Sequence, residues 1–216
     1  MPQITQSQAV RFLTQATMGA NRKLIARVQA VGFSVWLNEQ LSAPVKDGHY
    51  DWMSSHNDPN TGKPFNHFDF RFNYNGFDAS VWRKLLSAPD ALRQRIVFAL
   101  SEIIVVSLDG LDGYWPQFRA AAYIDLLEKH AFGNYRQLLQ AISTNAAMGQ
   151  YLTFVGNQKF NPETDSYPDE NYARELLQLF TIGLYQLNID GTPKLVNGAK
   201  VETYKGRTQK TEKIVR

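Results

Sequence analysis

The chain has 216 residues, of which 44% are hydrophobic and 20% charged, a composition that excludes disordered and low-complexity classes. It contains no cysteine, which excludes a disulfide framework, thiolate zinc sites and a cysteine nucleophile. Residues 1–193 hold 16 Lys or Arg against 18 Asp or Glu, whereas residues 194–216 hold 7 against 2. We therefore expect a basic, poorly ordered tail. Because the body offers no basic face, no nucleic-acid binding is expected.

The amino-terminal part predicts three short helices. Apolar residues recur at helical spacing in residues 6–18, 21–31 and 33–41, and Gly19 and Gly32 separate the three segments. No apolar run reaches the roughly 18 residues of a membrane span, so none is expected.

Residues 44–75 are rich in turn-forming and aromatic residues, which predicts a long loop. Inside it, aromatic and polar side chains alternate, and the aromatic ones are Phe68, Phe70, Phe72 and Tyr74. A period of two predicts a short strand. Together with Trp52, these rings fit two interpretations: packing against the helices, or a stacking platform for sugars or bases.

The remainder of the chain predicts further helices at residues 79–87, 89–107, 116–130, 134–143, 146–154 and 168–184. Residues 96–106 are nearly all apolar, so the second of these is expected to be the buried central helix. Residues 188–204 predict a small hairpin about Asp190 and Gly191.

The predicted fold class is mainly α: an irregular multi-helix domain of about eight or nine helices with a long aromatic-rich loop and a small hairpin near the carboxyl terminus. We expect the helical domain to cover residues 1–193 and the basic tail residues 194–216.

Several strings occur in an order that resembles the bacterial family called domain of unknown function 1800: AVRFLTQATMG, QRIVFALSEIIVVS, AFGNYRQLLQAIS, AAMGQYL and PDENYARELLQLFTIGLYQLNIDGT. The resemblance implies no reaction, because the family has no established one. Its members are typically longer and often exported, which implies that this chain is an amino-terminal portion. A protein partner, or the missing carboxyl-terminal half of the parent protein, is then expected. The amino terminus lacks the apolar stretch of a signal peptide, so localisation stays open.

The last of these strings supplies the candidate site residues. As a helix, it places apolar side chains on one arc and polar ones, including Glu170, Asn171, Arg174 and Glu175, on the other. In a structural interpretation, Asp169 and Glu170 favour the helix dipole and Glu170 pairs with Arg174.

In a catalytic interpretation, the same polar arc closes a cleft. Glu175 then acts as general base or metal ligand, Arg174 clamps an anion, and Asn171 contacts the ligand.

A second polar feature is Glu102, which lies within the apolar stretch of residues 96–106. A buried carboxylate needs a partner. We expect Glu102 to pair with Arg95, seven residues earlier, or with Arg174.

Histidines and aspartates are concentrated in the loop, at His49, Asp51, His56, Asp58, His67 and Asp69. This composition suits a metal, but there is no HExxH motif and no pair at helical spacing, so turn formation is the preferred interpretation. No GxSxG elbow or phosphate loop is present either. We predict no cofactor and no metal. The chain is interpreted as a structural or interaction module; the alternative is an enzyme, such as a hydrolase, using Glu175 and Arg174.

Overall fold

A computed structural model describes residues 3–205. Within them, ten α-helices accompany one two-stranded sheet, so the predicted mainly-α class and the small carboxyl-terminal hairpin are confirmed. The chain divides into two compact units, Met1–Met148 and Gly149–Arg216. The predicted limits, a domain at 1–193 and a tail at 194–216, stay a prediction, and residues 206–216 of that tail lie outside the described residues. No helix within residues 3–205 is both long and apolar enough to cross a bilayer.

The helices of the first unit are α1 (Gln6–Ala16), α2 (Arg22–Val31), α3 (Phe33–Ser42), α4 (His49–Ser55), α5 (Phe77–Ser87), α6 (Ala91–Ile103), α7 (Pro116–His130) and α8 (Tyr135–Ile142). The division between the units falls within α9 (Ala146–Tyr151).

The three amino-terminal helices form as predicted, and local side chains define their limits. The Thr5 hydroxyl accepts a hydrogen bond from the backbone N–H of Gln8, whose own side chain accepts from the Thr5 N–H, completing a capping box. Asn21 caps α2 by accepting from the N–H of Leu24. These helices share a core of Ala9, Leu13, Val28 and Trp36.

The loop at residues 44–75 differs from its prediction in two ways. It contains α4, a helix that was not predicted because the segment is rich in turn-forming residues. The predicted strand is wrong, because Phe68–Phe70 forms a short 3-10 helix. There the His67 ring accepts a hydrogen bond from the Asp69 N–H at 3.2 Å, which favours a tight turn. Phe70 is buried whereas Phe68 and Phe72 are exposed, so the alternating aromatics do not share one face.

The central helix of the first unit was predicted to be the one at residues 89–107, which is α6, but it is α7. Eight residues of α7 are buried, against three of α6. Pro116 occupies the first turn of α7, where its missing N–H has no consequence. α6 ends four residues before the predicted limit, and Phe98 and Ile103 are exposed on it.

The second unit contains α10 (Asn171–Leu177), followed by a π-helical turn at Gln178–Ile182. The single helix predicted over residues 168–184 is therefore wrong in its limits, since Thr181 departs from helical backbone angles (φ −129°, ψ −109°). A hairpin follows, in which β1 (Leu195–Val196) pairs antiparallel with β2 (Ala199–Lys200). The predicted turn about Asp190 and Gly191 is present, flanked by the pairing of Leu187 with Pro193.

Candidate functional site

Asp169 organises the start of the polar motif. Its carboxylate accepts hydrogen bonds from the Asn171 N–H at 2.7 Å and from the Thr153 hydroxyl at 2.8 Å. These two bonds lower its pKa, because they favour the charged form. The backbone of Asp169 also bonds the Asn157 amide in both directions, at 2.8 and 2.9 Å. Asp169 therefore fixes the local loop before α10.

The other polar residues of the motif are less constrained. Burial and a hydrogen bond to Glu170 raise the pKa of Tyr204, so Glu170 is engaged with the hairpin segment. No ion pair joins Glu170 to Arg174 within residues 3–205. Arg174 is exposed and acts on Asp169 only through its charge. Asn171 and Glu175 are half-buried, and no hydrogen bond to the Glu175 side chain is present in the described part of the chain.

Glu102 does not lie in the environment that its sequence position predicts. It is exposed on the last turn of α6, so the expectation of a buried carboxylate is wrong. Arg95 points a guanidinium nitrogen at the Met18 sulfur, 3.7 Å away, and no ion pair with Glu102 occurs among the described residues. A pairing of Glu102 with Arg174, and a binding role for Glu102 or Arg95, stay predictions.

The carboxylate that is fully buried in this unit, among the described residues, is Glu128 on α7, which the sequence analysis missed. Its carboxylate contacts the Lys84 ammonium, the His49 ring at 3.2 Å and the Gln94 amide at 3.0 Å. His49 also contacts the Ser80 hydroxyl through its other ring nitrogen, at 2.9 Å. Burial opposes ionisation of Glu128, but the hydrogen bonds of His49 and Lys84 outweigh it and lower the Glu128 pKa.

Two catalytic interpretations of this network fail, one because other groups already engage the carboxylates and one because the serine is buried. His49, Asp125 and Glu128 place ligand atoms within 4.8 Å of one another, as a metal site requires. However, the Lys84 ammonium already supplies the positive charge at Glu128, and both Asp125 oxygens accept backbone N–H groups, from His49 at 2.6 Å and Tyr50 at 2.9 Å. The Ser80–His49–Glu128 chain likewise matches the residue types of a hydrolase triad.

In that triad the serine would need to reach a substrate, and Ser80 is fully buried. His49, Lys84 and Glu128 are buried with it. The arrangement is therefore a satisfied internal ion pair that joins α4, α5 and α7.

The remaining loop residues considered for a metal have separate local roles. His56 stacks on Trp52 with ring centroids 4.5 Å apart. His67 caps the 3-10 helix. Asp58 accepts from the Asn60 N–H at 2.8 Å and from the Asn75 amide at 3.0 Å, so turn formation explains it.

An exposed apolar face lies on the hairpin of the second unit. Residues paired across antiparallel strands share a face, as do residues two apart along a strand. The pairings of Leu187 with Pro193 and of Leu195 with Lys200 therefore place these four side chains together. Leu187 is 45% exposed and Leu195 58% exposed. Tyr185 and Glu202 pair on the same face. We call these six residues the hairpin face.

A comparison with protein families shows to which family this chain belongs. A family model described as "Protein of unknown function (DUF1800)" matches residues 11–212. The chain belongs to this family. No curated protein and no solved structure matches it. In this DUF1800 chain the matched region covers both units, including the polar motif and the hairpin face.

Proposed function

We propose that this DUF1800 chain is a structural and interaction module whose hairpin face binds a partner protein. The observation that carries the proposal is the exposure of Leu187 and Leu195 on one face of the hairpin. Apolar surface of this kind is uncommon on a protein without a partner, and it forms the centre of protein interfaces.

The packing of the second unit supports this proposal. Within its described part, Phe180 is the one large hydrophobic side chain that is buried. The turn before the hairpin leaves Leu179, Ile182 and Leu184 exposed as well. Because covering apolar surface is the main driving force of association, a partner that covers these side chains would stabilise the unit.

Charge indicates the chemistry of the partner. Residues 194–205 carry Lys194, Lys200 and Lys205 against Glu202 alone. Lys194 and Lys200 line the same groove as Pro193 and Leu195. The proposed partner is therefore a protein surface with an apolar centre and acidic side chains at its edge.

The enzyme alternative, with Glu175 as base and Arg174 as anion clamp, stays a prediction. Its direct test is the Glu175→Gln variant: loss of a bound metal or ligand at an unchanged melting temperature would support catalysis. A large fall in melting temperature with unchanged metal and ligand content would contradict it.

Site-specific photo-cross-linking tests the interaction proposal. A photoreactive amino acid replaces Leu195, and in a second variant Leu187, in cells that naturally express the chain. We expect both positions to give an adduct with the same protein, identified by mass spectrometry, and the charge reversal Lys200→Glu to reduce its yield.

The matched control is Leu86 on α5, an exposed leucine of the first unit that is 74% accessible. The same adduct from position 86, or no adduct from positions 187 and 195, would overturn the proposal. An adduct between two copies of this chain would also overturn it, because the surface would then be a self-association interface.

A further inference from the structure

Four side chains at the surface of the first unit stack on one another. The Arg71 guanidinium lies over two rings, 3.7 Å from the centroid of Phe68 and 4.6 Å from that of Phe72. Phe72 stacks in turn on Tyr114, with centroids 4.9 Å apart and ring planes 27° from parallel. We call these four residues the aromatic column. It shares no residue with the polar motif or the hairpin face, so it is independent of the proposed protein interaction.

The rings of the column remain open to solvent. Phe68 and Tyr114 are each 63% exposed, and Phe72 is 59% exposed. Phe68 and Tyr114 stand at the two ends of the column, where the first contacts Arg71 and the second contacts Phe72. Neither end ring contacts a further ring or guanidinium within residues 3–205. Each end ring therefore offers an open surface on the side away from the column.

Hydrogen bonds fix the backbone that carries the column. The Gln117 side-chain amide donates to the Phe70 carbonyl at 3.0 Å, and both residues are buried. The Tyr74 hydroxyl donates to the Leu108 carbonyl at 2.9 Å. These bonds join the loop after α4 to the residues around the start of α7. The exposed rings therefore stand on a fixed support, which lowers the entropy cost of binding a ligand.

The residue next to Tyr114 adopts a backbone conformation that bulky residues rarely take. Trp115 has a φ of 62°, in the left-handed region, which is unfavourable for a large side chain. Its N–H donates to the Arg71 carbonyl at 2.7 Å, and this bond holds it there. Strained residues of this kind concentrate at ligand sites, and this one sets the position of an end ring of the column.

Two joined segments form this surface, residues 68–74 and 108–117. The large hydrophobic side chains that they expose are all aromatic: Phe68, Phe72 and Tyr114. The face of an aromatic ring carries partial negative charge, and the C–H groups along one side of a sugar ring carry partial positive charge, so the two attract. The hairpin face exposes leucines instead, which lack such a ring. The composition of this surface therefore favours a carbohydrate over a protein.

The charge of the same segments disfavours a nucleic acid. Residues 68–74 and 108–117 carry one Arg and no Lys against three Asp. A nucleic acid needs basic side chains along its phosphates, and here the net charge has the opposite sign. A cationic ligand is disfavoured as well, because the Arg71 guanidinium already occupies the position between two rings. A neutral ligand fits this surface best.

We infer that the aromatic column is a binding site for a neutral carbohydrate chain. Sugar rings stack on the open surfaces of Phe68 and Tyr114. Arg71 and Phe72 hold these two rings in place from inside the column.

Calorimetric titration of the full chain at physiological ionic strength tests the site. The probes are cellohexaose, xylohexaose, laminarihexaose and maltohexaose, which are neutral and differ in sugar or linkage. Single-stranded oligothymidylate is the polyanionic comparison. We expect saturable binding of at least one hexasaccharide and no binding of the oligonucleotide.

Substitutions that keep or remove a ring locate the binding. Tyr114→Leu and Phe68→Leu should each weaken hexasaccharide binding by about tenfold or more, because stacking on a ring is lost. Tyr114→Phe and Phe68→Tyr keep the ring and should bind like wild type. The matched control is Trp82→Leu on α5, at an exposed aromatic residue outside the column, which should also bind like wild type.

Absence of saturable binding by all four hexasaccharides would overturn the inference. Equal binding by Tyr114→Leu and Tyr114→Phe would overturn it as well, because the aromatic ring would then be dispensable. Binding of oligothymidylate alone would assign the surface to nucleic acid and contradict the inference. If Tyr114→Leu lowers the melting temperature, the comparison of Phe68→Leu with Phe68→Tyr decides. None of these results depends on the partner of the hairpin face.

Discussion

The ionised Glu128 is a buried charge that joins several helices of the first unit. It is fully buried, and a buried charge persists only when other groups compensate it. Lys84 supplies the opposite charge, while His49 and Gln94 occupy the remaining acceptor positions. These partners explain why an ionised carboxylate on α7 can be buried in the protein.

We expect Glu128→Gln to destabilise the protein at pH 7 by about 3–5 kcal/mol, because the Lys84 ammonium would remain buried without a counter-ion. Urea denaturation monitored by circular dichroism measures this change. Asp69→Asn is the control, since Asp69 also pairs with a lysine but is exposed, and exposed pairs contribute little.

The same variant should alter the pH dependence of stability. The pKa of Glu128 is lower in the folded protein than its ordinary value of 4.5. Its ionised form therefore stabilises the fold above about pH 4.5, and this contribution is lost as the pH falls through the folded pKa. Stability of the wild type should decline more steeply in that acidic range than stability of Glu128→Gln. Parallel curves would contradict the ionised assignment.

At the scale of elements, the sequence predicted helices well where both ends carry local signals. Residues 116–130 were predicted with the limits of α7, because Pro116 opens the helix and the segment is long and regular. The strand predicted from Phe68, Phe70 and Phe72 failed because alternation in sequence does not say which rings are buried. The prediction of one helix across residues 168–184 failed for a related reason. Hydrophobic periodicity does not reveal that the backbone departs from helical angles at Thr181.

Gly76, which precedes α5, shows how tightly one helix start is packed. Its φ is 87°, and a Cβ atom placed on it would lie 2.7 Å from the Phe65 ring. We expect Gly76→Ala to lower the free energy of unfolding by about 1–3 kcal/mol, since it adds both backbone strain and a steric clash.

Gly19→Ala is the matched control, because nothing lies within 4 Å of its added methyl group and its φ is not positive. Thermal unfolding of both variants measures the difference. Equal melting temperatures would show that the backbone at Gly76 relaxes without cost.

At the scale of the whole molecule, neither the Glu128 network nor the exposure of the hairpin face could be predicted from local patterns. The Glu128 network joins His49 to a residue 79 positions away along the chain. Proximity of such distant residues depends on the packing of helices. The hairpin itself was predictable from Asp190 and Gly191, but the exposure of its leucines was not.

The affinity of the cross-linked partner for variants of this chain tests the proposed interaction most directly. The purified partner is titrated against wild type, Leu195→Asp and Leu86→Asp. A charge at the centre of an apolar interface should weaken binding by about tenfold or more in Leu195→Asp, whereas Leu86→Asp should bind like wild type. Equal affinity of all three proteins would contradict a partner surface on the hairpin face.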